Sequence, residues 1–360
     1  MGSSPPPDPE APAKRSLWRW PQLKADPRAV LGMGLCGLAW GVALAKNRQP
    51  LEGALRLSAL GFTLQPPPEE ASGPAQGFLA ASLSSLTIKG LGTGEPSLLP
   101  FSGQRLALGG GSGLSLIAST AEPLELRIAL SPGTRVKNLQ LEGKDELVLD
   151  LLPPRPGSAA ASPAQAATDL TIIPPAGPAV ANSQPLQAVF QEPGRPARRL
   201  SPPDTQFRLP LAGAMRLRLK RAIPQRPVVF ERNLPVRDVQ FTTVRQSLFD
   251  QTPITFSTLR SGNLHLGRME PLSLRADQFL QIKPPGVAVL TSLRSEQSQL
   301  AVEVVGETDE IRSGLSQKHP TSVLSGTLLS RHLSPDQISG FFGFLAGVIS
   351  SLVVTFFKGE

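Results

Sequence analysis

Residues 214–221 read AMRLRLKR, and Met215–Lys220 within them alternate strictly between apolar and basic side chains. On an extended chain Met215, Leu217 and Leu219 fall on one face and Arg216, Arg218 and Lys220 on the other; a helix would scatter both sets around its circumference. Shorter runs of the same kind recur. SLTIKG, QRLALGG, SGLSLIAS and PLELRIALSPG precede it, and PVVFERN, VRDVQFTTV, PITFSTL, GNLHLG, QFLQIK, GVAVLTSL and QLAVEVVGE follow, bounded mostly by Gly or Pro. That punctuation is the signature of short antiparallel strands joined by turns. With 38 Pro and 33 Gly among 360 residues, long helices are disfavoured through most of the chain. The pattern predicts a mainly β protein, an antiparallel sandwich or jelly-roll-like region in one or two lobes. No fixed-period repeat marks a propeller or solenoid.

Two stretches break the pattern. Ala29–Ala45, AVLGMGLCGLAWGVALA, is 17 residues without a charge, the short end of what spans a bilayer core. Lys14, Arg15, Arg19, Lys24 and Arg28 precede it with Trp18 and Trp20 among them, as at a cytoplasmic interface. Near the end, Ile338–Phe357 carries no ionisable residue, and Ser334-Pro335-Asp336-Gln337 before it fits a capping box. The expected order is a disordered basic cytoplasmic tail (1–28), a transmembrane helix (29–46), a linker (47–77), a β lobe (78–152), a Pro/Ala-rich linker (153–206) in which LTII and LQAVF can add short strands to a neighbouring sheet, a second β lobe (207–313), a loop (314–333) and a transmembrane helix (335–357). Both termini are then cytoplasmic and the β region extracytoplasmic, in a membrane of bacterial inner or thylakoid type. Ala43-Leu44-Ala45 also fits a signal-peptidase site, so cleavage stays open beside a retained anchor. Gly37, Gly41 and Ala45 in the first span, and Gly343, Gly347 and Ser351 in the last, repeat at four-residue intervals and let helices approach closely.

Net charge is +8. In a cytosolic protein this would suggest nucleic acid; outside the cytoplasm it suggests lipid head groups, glycan or an acidic protein face, and no nucleic-acid partner is expected. The alternation places Arg216, Arg218 and Lys220 along one strand face, with Arg221 and Arg226 nearby, as a candidate surface for an anionic partner. The lone Cys36 excludes an intrachain disulfide and a CxxC site.

NLQLEGKDELVLDLL reads as a hairpin, with Leu139 and Leu141 before the turn Glu142–Asp145 and Leu147, Leu149 and Leu151 after it. Residues 124–153, ending Glu146-Leu147-Val148-Leu149-Asp150-Leu151, resemble the close of an AMIN domain, a β module of bacterial envelope proteins. In its family that module is associated with cell-wall glycan or with localisation. Glu146 stands where the family has arginine, and the likeness stops at Glu122.

Catalytic signals are sparse. His265, His319 and His332 lack metal-ligand spacing. Gly109-Gly110-Gly111-Ser112-Gly113 has no following lysine and reads as a hairpin turn, not a phosphate loop. No GxSxG elbow occurs. Catalytic residues, cofactors and metals are therefore not expected. The sequence points to a non-enzymatic scaffold or accessory subunit of a membrane or envelope complex, with lipids and either a membrane-protein partner or a second copy of the chain as partners. A glycan- or anionic-lipid-binding module and, last, an enzyme with dispersed carboxylates are the alternatives.

Overall fold

The computed structural model describes residues 45–66, 77–92, 95–119, 123–155, 167–173, 186–201, 204–223, 228–230, 233–246, 252–296, 298–333 and 335–358. The first strands are β1 (Gln49–Leu57), β2 (Ala59–Leu64), β3 (Gly77–Leu91), β4 (Ser97–Phe101), β5 (Gln104–Leu108) and β6 (Gly113–Ala118). Next come β7 (Leu124–Leu130), β8 (Arg135–Glu142), β9 (Glu146–Leu152), β10 (Ala167–Ile173), β11 (Leu186–Gln191) and β12 (Arg198–Leu200). They are followed by β13 (Gln206–Pro210), β14 (Ala214–Arg221), β15 (Val229–Phe230), β16 (Leu234–Gln240), β17 (Thr242–Gln246), β18 (Pro253–Ser257) and β19 (Leu259–Leu266). The last are β20 (Leu272–Arg275), β21 (Phe279–Ile282), β22 (Gly286–Glu296), β23 (Gln299–Thr308), β24 (Glu310–Gly314) and β25 (Ser322–Ser325), then helices α1 (Leu328–His332) and α2 (Pro335–Lys358).

The protein is mainly β, and its strand pairings are antiparallel, as the alternation predicts. The pairings form a ring: β22 pairs with β16, β16 with β2, β2 with β8, β8 with β9, β9 with β14 and β14 with β3. The two-residue β15 then joins β3 back to β22. From the ring β23, β1, β19 and β20 extend in that order on one side. On the other, β3 carries β6, β11 and β12, and also β7, β10 and β13. One strand serves both sets because β3 bends at Ser82, whose φ is 61°. Its first half pairs with β7 and β15, its second with β6 and β14.

Several sequence expectations change here. The stretch taken as a linker, 47–77, opens with β1 and β2; in β1, Gly53 on the core side and Ala54 on the exposed side blur an alternation that buries Leu51, Leu55 and Leu57. The stretch 153–206 contains β10, β11 and β12, which pair with β7, β13 and β6. LTII and LQAVF, read as short strands joining a neighbouring sheet, are β10 and β11; β12, at Arg198–Leu200, was not anticipated. The segment taken as a loop, 314–333, holds β25 and α1. The two presumed lobes interleave, since β14 from the second inserts between β3 and β9 of the first. The glycine run is a turn but not a hairpin: β5 pairs with β4, whereas β6 pairs with β3 and β11.

β14 shows what holds the body together. Met215, Leu217 and Leu219 are fully buried, facing Leu151, Leu149 and Leu147 on one neighbour and Gly90, Ile88 and Leu86 on the other. Each buried leucine contributes about 2 kcal/mol relative to exposure. The predicted β8–β9 hairpin is present, its three-residue connection held by Gly143 at φ 68°.

α2 covers 24 residues, beginning at the proline expected to open it. Apolar side chains project from it into open surroundings, Phe344 at 69% and Val354 at 52% exposure. Among the described residues no helix is long and apolar enough to cross a membrane, the side chains of Leu352, Val353 and Thr355 to Lys358 lying outside them. The first apolar segment also lies outside them except for Ala45, as do residues 1–28 and Ser334 of the expected capping box.

Candidate functional site

The chain leaves its first apolar segment beside the point where it enters its last helices. Lys46 and Thr327 form an antiparallel bridge. The Leu328 N–H donates to the Ala45 carbonyl at 3.2 Å, and the Asn47 N–H to the Gly326 carbonyl at 3.0 Å. Gln49, almost wholly buried, donates its side-chain amide to the Thr327 carbonyl at 2.8 Å. Gly326 is required by this close approach: a Cβ there would stand 2.5 Å from Gln49 Cγ and 2.7 Å from the Asn47 carbonyl oxygen. Thr327 then caps α1, accepting from the Ser330 N–H while the Ser330 hydroxyl accepts from the Thr327 N–H. The sequence suggests a box at Ser334; the described one lies seven residues earlier, with Ser330 in the place usually held by Glu or Gln.

A charge cluster closes the same junction. Glu310, at the start of β24, is 1% exposed and receives Lys46, Lys283 and Arg312. The Lys283 contact is 3.1 Å. Burial alone would raise its pKa, but the hydrogen bond from Lys46, helped by those from Lys283 and Arg312, holds it down at about 2. Glu310 is therefore an anion at neutral pH and no proton donor. Its chemistry is that of a clasp. The same hydrogen bond raises the Lys46 ammonium above its ordinary value, so both partners stay charged. No sequence motif marks this cluster, because Lys46, which makes the leading contact, is 264 positions from Glu310.

The basic face of β14 is occupied. Arg216 binds Asp150 in a fork, Nε to Oδ1 at 2.7 Å and Nη2 to Oδ2 at 3.0 Å. Asp150 also accepts from Asn138 Nδ2 at 2.8 Å. Arg218 meets Glu146 at 3.1 Å and Glu142 at 3.2 Å. Lys220 is exposed opposite Glu146. Arg221 turns to the other side, is buried, and donates from its guanidinium to the Lys144 carbonyl in the hairpin turn. Arg226 lies outside the described residues. The stripe is thus largely an internal ion-pair ladder tying β14 to the β8–β9 hairpin. The acidic residues were visible in the sequence; their register against β14 was not.

Of the other candidates, His265 is exposed on β19 between buried Leu264 and Leu266. Gly343 and Gly347 have open space where a side chain would stand. Among the described residues no group of His, Cys, Asp or Glu is arranged to hold a metal ion. An open cleft of ≈ 400 Å³ brings together Arg56, Asn263, Arg294, Glu296 and Glu303, with Glu296 engaged by Arg294 at 2.7 Å. Known protein families, curated proteins and solved structures contain no match to this chain.

Proposed function

We propose that this chain is a membrane-anchored, non-enzymatic scaffold or accessory subunit of a membrane or envelope complex. Its β body lies outside the cytoplasm, and the apolar segments 29–45 and 335–357 cross the bilayer. The observation that carries this reading is the junction, where the strand emerging from one apolar segment is hydrogen-bonded to the residues leading into the other. Apolar side chains exposed along a helix need lipid or protein around them, and among the described residues nothing in the β body covers Phe344 or Val354. The hairpin β17–β18 offers further surface for a partner, with Val244, Ile254 and Phe256 all exposed.

Protease protection on sealed vesicles, with tags at both ends, tests the orientation. Protected tags on the side opposite the β body support it, and a β body on the tagged side overturns it. Purification in mild detergent tests the role, since a subunit brings down a stoichiometric membrane partner. The glycan- or anionic-lipid-binding alternative keeps the AMIN-like likeness of residues 124–153. It is weakened by the pairing of Arg216 and Arg218 with Asp150, Glu146 and Glu142.

A further inference from the structure

We infer that the cleft at the root of the β17–β18 hairpin binds a phosphomonoester group, held between the guanidinium groups of Arg245 and Arg260. The site belongs to the β body and does not rest on the anchor reading above.

Backbone hydrogen bonds hold the hairpin root in place. The Thr258 N–H, just after β18, donates to the carbonyl of Phe241, just before β17, at 3.0 Å. The Thr258 carbonyl in turn accepts from the backbone N–H and the hydroxyl of Ser58, at 2.7 and 3.1 Å. Ser58 is the single residue between β1 and β2. Thr243 and Arg245 follow Phe241 and Arg260 follows Thr258, so this staple gathers them beside the β1–β2 step. With Gln140 of β8 and Gln299 of β23 they line an open cleft of ≈ 480 Å³, large enough for a sugar-sized ligand.

The lining selects the ligand's charge. None of the described residues that line this cleft is acidic, whereas the cleft at Arg56 holds Glu296 and Glu303. Among the described residues Arg245 has no carboxylate partner; its guanidinium lies 6.0 Å from the centroid of the Phe256 ring, a placement that leaves its in-plane N–H groups to bind. Arg260 meets Asp277 at 3.3 Å with both side chains exposed, a pair of little net worth. Glu142, which accepts from Gln140 at 3.1 Å, is engaged by Arg218. Thr243 and Gln299 add neutral donors. Two guanidinium groups facing no acid across the cleft call for an anion of two charges, and each fork matches a pair of phosphate oxygens. A phosphomonoester carries close to two charges at neutral pH.

Titration calorimetry on the full chain in detergent, at fixed ionic strength, is the test. One arm uses glucose 6-phosphate with glucose as its control. The other uses micelles doped with phosphatidic acid, with phosphatidylcholine as the control. In at least one arm the phosphomonoester is expected to bind saturably and its control not; the tighter arm identifies the source as a soluble phosphate ester or a lipid headgroup. Arg245→Gln and Arg260→Gln are each expected to weaken that binding by about tenfold or more, and Arg127→Gln, an exposed arginine on β7, to leave it unchanged. Thermal unfolding without ligand reports whether each variant is folded; if Arg260→Gln is not, Arg245→Gln and Thr243→Val carry the test, the latter with a loss of about threefold or more. No saturable binding in either arm, binding that survives both arginine changes, or a loss with Arg127→Gln equal to that with Arg245→Gln each overturn the site. All three results leave the anchor reading standing.

Discussion

Asp150 gathers three donor contacts on one carboxylate: two from Arg216 and one from Asn138. It is 5% exposed, so a charge there is tolerated only because its acceptors are filled. Asp150→Ala strands a guanidinium and an amide, and full-length protein in detergent is expected to lose about 2–3 kcal/mol in chemical denaturation. Arg216→Ala with Asp150→Ala should cost less than the sum of the single changes. Glu310 gives a pH prediction. Its folded pKa, about 2, lies below the ordinary 4.5, so its contribution is fully present above about 4.5 and is lost as pH falls through about 2. Glu310→Gln should therefore lower unfolding stability at pH 7 and flatten the acid limb of the stability–pH curve. A limb identical to that of the unmodified protein would show that Lys46, Lys283 and Arg312 do not hold the carboxylate in this way.

At the scale of elements, β14 is the strand that makes two stretches of sequence one body. It fills the gap between β3 and β9 with three fully buried side chains. Leu217→Ala leaves a cavity between Ile88 and Leu149, with an expected cost of about 2–5 kcal/mol. Its alternation was legible because the strand has buried residues on one face only. β10 and β11 were legible as LTII and LQAVF, but β12 was not, since it is three residues long and set in proline-rich sequence that elsewhere forms linkers. At the junction, Gly326→Ala drives a methyl group toward the Asn47 carbonyl and Gln49. Amide exchange at Asn47 and Leu328 is expected to accelerate by more than about tenfold while the β14 amides stay protected.

For the whole molecule, the junction ties the chain at Ala45–Gln49 to the residues that lead into α1 and α2. With both exits on one clasp, the body would stand over a narrow footprint rather than straddle two distant anchor points. If 29–45 and 335–357 are its anchors, alkaline extraction should leave the full chain in the membrane pellet, and a chain truncated before Pro335 should be released more readily. Equal extraction of the two would remove α2 from the anchoring role.

Sequence by itself determined the β class, the β8–β9 hairpin, the two faces of β14 and the start of the last helix at Pro335. These follow from local periodicity, turn chemistry and the preference of proline for the first turn of a helix, which need only a few neighbouring residues. Tertiary structure alone decided that the arginines of β14 are matched by Asp150, Glu146 and Glu142, and that Lys46 reaches Glu310 across 264 positions of chain. It also decided that Ala45 adjoins Leu328. Such contacts depend on strand register and on the closing of the ring through β15, and neither leaves a local mark in the order of amino acids.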